Sequence, residues 1–209
     1  MSASARTDPG KIHVITAARE SEPQPVWKHA PRHLPHIALP PYRHVPGVTP
    51  HLARDEEGHS YGLSMLIGAD VTAQNWKQNC VYLRGIDLYH QGYLWEAHEA
   101  WEGPWREAEP DSLEANLLQA LILNSAALLK IHIGNAAGAR KHSQAARWRL
   151  ARVRTKGFDG PEARFLGMHI ADFIEQIKRY YGPMWETADS GEIRVRGRAP
   201  RIDLEMSGD

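Results

Sequence analysis

The 209-residue sequence predicts an all-α protein: a compact bundle of about five helices with an extended, proline-rich N-terminal arm and a C-terminal alternation consistent with a short β-hairpin. Three observations predict it. From residue 70 onward, apolar residues recur at three- and four-residue spacings between Gly, Pro and Asn punctuation. Between Leu117 and Leu129 the chain is apolar on nearly every helical face. Before residue 70, prolines are too dense for helix. These boundaries divide the chain into a tail and Pro/His-rich arm (1–69), a helical domain (70–182) and a C-terminal tail with the hairpin (183–209).

Pro23, Pro25, Pro31, Pro35, Pro40, Pro41, Pro46 and Pro50 are eight of the fourteen prolines. Each lacks an N–H donor and restrains its neighbour, which excludes helix and disfavours a central strand. The first twenty or so residues are expected to be disordered. Between Leu34 and Tyr61, however, Ile37, Leu39, Tyr42, Val45 and Val48 alternate with the prolines. That composition predicts an arm packed on the core, since a simple linker would not carry those apolar side chains.

Asp70 is a candidate N-cap for a first helix reaching Gln91, with Trp76, Cys80, Leu83, Tyr82 and Ile86 toward the core and Gly92 as its stop. A second helix follows from Tyr93 to about Arg106, its last turn shaped by Pro104. Asp111 with Glu114 has the form of a capping box, and it opens a third helix to about Ile133. Because Leu, Ile and Ala occupy most of its faces, the third helix is expected at the centre of the bundle. Gly134 and Asn135 end it and start a fourth, Ala136 to about Thr155, with alanines on one side and Arg140, Lys141, Arg147, Arg149, Arg152 and Arg154 elsewhere. A fifth helix, from Glu162 to Tyr181 with a break at Gly167, is expected from Phe165, Leu166, Ile170, Phe173, Ile174 and Ile177. Finally, Glu192 to Val195 and Arg201 to Leu204 alternate apolar and polar about a Gly-Arg-Ala-Pro turn, the pattern of a hairpin.

Composition argues against several functional classes. Lys plus Arg equals Asp plus Glu at 25 each, so the chain as a whole carries no electrostatic footprint for nucleic acid or for a membrane surface. No apolar run is long enough to span a bilayer. The N-terminus lacks the apolar core of a secretory signal, and Cys80 is the lone cysteine, so a cytoplasmic location is expected. Twelve histidines and seven tryptophans are both high counts. The arm histidines lack the short regular spacings of a zinc module. Oligomeric state is not legible from these features.

The chemistry-bearing stretch is Tyr89-His-Gln-Gly-Tyr-Leu-Trp-Glu-Ala-His-Glu-Ala-Trp-Glu-Gly-Pro-Trp-Arg106. On a helix, Trp95, His98, Glu102 and Trp105 fall within roughly eighty degrees of one another, with Glu99 just beyond. Tryptophans on this face argue that it turns toward protein, and a buried ionisable pair must be compensated. Three readings satisfy that requirement. One is a structural His98–Glu102 hydrogen bond extended to Gln119 or Asn124. Another is ligation of a divalent metal by His98 and Glu102, one helical turn apart, with His51 or His59 of the arm as candidate further ligands. The last is general acid–base chemistry by His98 with Glu99 or Glu102. No nucleophile elbow, dinucleotide fingerprint or phosphate loop is present.

Gly85-Ile-Asp-Leu-Tyr-His-Gln-Gly-Tyr-Leu-Trp-Glu-Ala-His-Glu-Ala-Trp-Glu102, then Trp105-Arg106, Leu118-Gln-Ala-Leu-Ile122 and Gly134-Asn-Ala-Ala-Gly-Ala-Arg140 resemble the signature of domain-of-unknown-function family 309. The resemblance covers roughly Trp76 to Leu150. It implies a compact helical bundle of the kind found in this small bacterial and archaeal family, and it marks His98, Glu99, Glu102, Trp105, Arg106 and Gln119 as the positions most worth testing. It brings no established activity. The expectation is a pocket for a small molecule or metal between the second and third helices, partly covered by the arm, with metal-dependent hydrolysis as the chemistry it could support. A non-enzymatic interaction or scaffold protein, in which His98 and Glu102 only fix helix packing, is the rival.

Overall fold

The computed structural model describes residues 10–15, 23–62, 70–158, 160, 162–187 and 191–206. Five helices form the body: α1 (Cys80–His90), α2 (Leu94–Glu107), α3 (Leu113–His132), α4 (Ala136–Thr155) and α5 (Ile170–Glu186). As expected, α3 is central, with Leu117, Leu118, Ala120 and Leu121 fully buried. It packs between α2 and α4, while α1 lies against α2 and α5 against α4. No helix among the described residues is long and apolar enough to cross a membrane.

Helix starts follow side-chain capping, in places at residues other than those the sequence suggested. α1 begins at Asn79, whose side chain accepts the Tyr82 N–H, instead of at Asp70. Residues 70–79 form turns because Asn75 takes backbone groups of its own, accepting from Thr72 N–H at 2.9 Å and donating to Asp70 C=O at 2.7 Å. Cys80 is therefore exposed at the first position of α1, off the buried face assigned to it. Ser112, and not Asp111, caps α3 by accepting the Ala115 N–H at 3.0 Å. Asn135 caps α4 by accepting the Gly138 N–H at 2.7 Å.

The segment before α5 departs most from expectation. Residues 164–169 form a tight hairpin of β2 (Arg164–Phe165) and β3 (Met168–His169). Its two turn residues, Leu166 and Gly167, have φ of 46° and 77°, the paired positive values of a two-residue hairpin turn. A leucine there is strained, and burial of its side chain together with the Tyr82 hydroxyl donating to its carbonyl at 3.0 Å holds it. Gly167 is required: a Cβ would come within 2.3 Å of the Trp76 ring. The helix that follows continues past Gly182 and Pro183 to Glu186.

The C-terminal strand exists, but its partner is not the one expected. β4 (Ile193–Arg196) pairs antiparallel with β1 (Ile12–Ile15), so part of the segment expected to be disordered is a strand; residues 1–9 and 16–20 lie outside the described residues. Residues 201–204 are drawn elsewhere: Ile202 N–H donates to His90 Nε2 at 3.2 Å, and Leu204 forms a lone bridge with Met168. The polar interior is organised by Asn124, which donates to the Tyr89 hydroxyl and accepts from the Tyr181 hydroxyl, both at 2.9 Å. The Tyr89 hydroxyl in turn donates to Pro200 C=O at 2.6 Å.

Candidate functional site

Helix α2 turns Leu94, Ala97, Trp101 and Pro104 fully inward, which leaves Trp95, His98, Glu99, Glu102 and Trp105 half-buried along its flank. One ligand atom from each of His98, Glu99 and Glu102 lies within 4.8 Å of the others. Helical periodicity places Glu102 four residues beyond His98 and three beyond Glu99, so Glu102 neighbours both. Trp95 closes one side, its indole stacked on the His98 ring with centroids 6.0 Å apart and planes 13° from parallel. On the other side Arg106 donates to Glu102 Oε2 at 2.9 Å.

Electrostatics at this flank suit ligation. Burial holds the His98 imidazole below its ordinary value; Glu102 opposes the shift and Arg106 adds to it. The ring is thus neutral at pH 7, the form in which imidazole binds a metal. Burial, reinforced by the neighbouring Glu102, pushes the Glu99 carboxyl up, while Arg106 and Arg54 pull it back. Two carboxylates side by side with a neutral imidazole form a site whose repulsion a cation would relieve.

The residues singled out from sequence do not all converge. The hydrogen bonds and ion pairs of the described residues include none between His98 and Glu102 and none joining Gln119 to the cluster. Gln119 stands half-buried on α3. Asn124 is committed to the tyrosine network. Trp105 packs half-buried against the core. His51 and His59 lie outside the three-residue cluster. Both are engaged elsewhere: His51 Nδ1 accepts from Ala53 and Arg54 N–H at 3.3 Å, and His59 Nε2 meets Glu96 Oε1 at 3.2 Å.

Sequence reasoning missed Glu96. This buried carboxylate accepts the His44 N–H at 2.8 Å as well as the His59 contact, so it fastens the arm to α2. Burial raises its pKa, and the bonds from His44 and His59 counter the shift. His44 is buried too, its Nδ1 hydrogen directed at Pro50 C=O and Thr49 Oγ1, both at 3.0 Å. The His44 and His51 rings sit 5.0 and 5.7 Å from the Trp95 ring, so the arm covers the Trp95 side of the site. A second anchor is Asp87 of α1, fully buried, which accepts from the His33 and Leu34 N–H groups at 2.8 and 2.9 Å. Carboxylates that bind backbone N–H groups leave no sequence spacing by which to find them.

No curated protein and no solved structure matches the chain. Residues 82–142, from Tyr82 of α1 to His142 of α4, match the model of the family described as domain of unknown function DUF309.

Proposed function

We propose that the protein binds a divalent transition-metal ion through His98, Glu99 and Glu102, in a site walled by Trp95 and bordered by the arm. The convergence of those three ligand atoms within 4.8 Å carries the reading. Ligands of one zinc ion at about 2.0–2.2 Å are roughly 3–3.5 Å apart, so the side chains need close by only about 1 Å on binding. One imidazole and two carboxylates suit zinc, manganese or ferrous iron. Three protein ligands leave a coordination position for water or a small ligand, and metal-assisted hydrolysis is the chemistry that such an open position supports.

The rival is a scaffold in which these side chains only hold helices together. The Glu102–Arg106 ion pair and the Trp95–His98 stack favour it, since both satisfy site residues with no ion. Metal content separates the two. Purified apo protein is equilibrated with zinc, manganese, iron(II) or nickel, freed of excess and assayed for bound metal beside His98→Ala and Glu102→Gln. Stoichiometric metal in the wild type, lost from folded variants, supports the centre. A wild type that retains no metal, with His98→Ala markedly less stable, supports the scaffold.

A further inference from the structure

Helix α4 carries Arg140, Lys141, Arg147, Arg149, Arg152 and Arg154 and no carboxylate, although the whole chain is neutral. On its outer face Trp148 is 52% exposed. The guanidinium carbons of Arg149 and Arg152 each lie 4.9 Å from the centre of that indole. Both cations are held in place. Asp111 accepts from Arg152 Nη2 at 3.2 Å and lies 3.7 Å from Arg149 Nη1. Arg149 also donates to Asn116 Oδ1 at 3.1 Å. Asn116 is itself buried and uses its amide N–H groups on the Asp111 and Ser112 carbonyls, at 3.1 and 2.7 Å. Asp111 adopts a left-handed backbone, φ 62°.

We propose that Trp148, Arg149 and Arg152 form a preorganised platform on which single-stranded nucleic acid stacks. An exposed indole offers the flat face that any base can cover, and adjacent guanidiniums supply cation–π contact and forked donors for phosphate. One carboxylate between two arginines leaves net positive charge at the platform. Exposed Lys141, Arg147 and Lys156 extend the positive surface along the helix, which is about 30 Å long. An acidic peptide would be served by the cations alone and has no use for a half-exposed indole. The neutral charge of the whole chain conceals this one-sided face. Trp148, Arg149 and Arg152 lie outside residues 82–142, and the platform shares no residue with the His98, Glu99 and Glu102 cluster.

The test is fluorescence anisotropy of the full chain with labelled oligothymidylate of about 16 nucleotides, the upper footprint of a single-strand-binding fold. Polyglutamate of similar length is the competing polyanion. Binding should strengthen at low salt, and Trp148→Ala should weaken it about tenfold or more while the circular dichroism stays unchanged. Arg152→Gln should lower the slope of log affinity against log salt by about 0.7. No binding at low salt, binding untouched by Trp148→Ala, or equal affinity for polyglutamate would each overturn the platform.

Discussion

Glu96→Ala should release the arm from α2. The carboxylate is 5% exposed, and its Oε1 serves both the His44 N–H and the His59 ring. Alanine strands a buried amide donor, worth about 1–3 kcal/mol, and removes the partner of a buried histidine, a change that costs up to about 3–5 kcal/mol in tightly buried pairs. The arm keeps its second anchor at Asp87, so a net loss of about 3 kcal/mol is expected. Glutamine keeps the Oε1 acceptor and discards the charge, which burial already disfavours, while placing an amide NH2 where the buried Oε2 has no partner. Glu96→Gln should therefore fall within about 1 kcal/mol of wild type at pH 7. The sign of the pH dependence follows. A carboxyl whose folded pKa is raised contributes stability at low pH and loses it as pH rises, so the glutamine variant gains on the wild type across that rise. Urea denaturation gives the free energies, and limited proteolysis at residues 43–61 reports whether the arm has loosened. Equal stability of the alanine and glutamine variants, with the arm equally protected in both, would refute the clamp.

Acid should destabilise the fold through His90, whose ring is buried and held at about 4 against an ordinary 6.5. A depressed pKa contributes stability that is complete above pH 6.5 and is lost as pH falls toward 4, about 3 kcal/mol in all. Urea melts between pH 7 and 4 should show this loss, and a slope unchanged in His90→Leu would contradict it. Gly85→Ala tests the α1–α2 contact: the added Cβ would stand 2.2 Å from Trp101 Nε1, which donates to Tyr82 C=O at 3.1 Å. Overpacking of about 1–3 kcal/mol should outweigh the roughly 1 kcal/mol that alanine gains in helix propensity, so a raised melting temperature would show that the helices do not meet this closely.

The helical frame was legible where local signals agree. Asn135 and the apolar run of α3 are read correctly because cap and periodicity are neighbours in sequence. The start of α1 was not, because Asp70, Asn75 and Asn79 can all cap. Asn75 takes the Thr72 N–H and the Asp70 carbonyl in a turn, which leaves the helix start to Asn79. The 164–169 hairpin was hidden by Leu166, whose left-handed backbone is tolerated only because the core buries its side chain. The β1–β4 pairing joins the two ends of the chain, beyond the reach of any local pattern. At the site, the flank carrying His98, Glu99 and Glu102 followed from the helical repeat. Glu96 and Asp87 did not, because the groups they bind belong to an arm with no regular secondary structure.

Anomalous diffraction from crystals grown with manganese or zinc is the direct measurement. A single peak among the His98 ring, Glu99 and Glu102, absent in His98→Ala crystals, is the expected result. Fully occupied metal elsewhere in the chain, with the three side chains unmoved and the Glu102–Arg106 pair intact, would contradict a metal centre on α2.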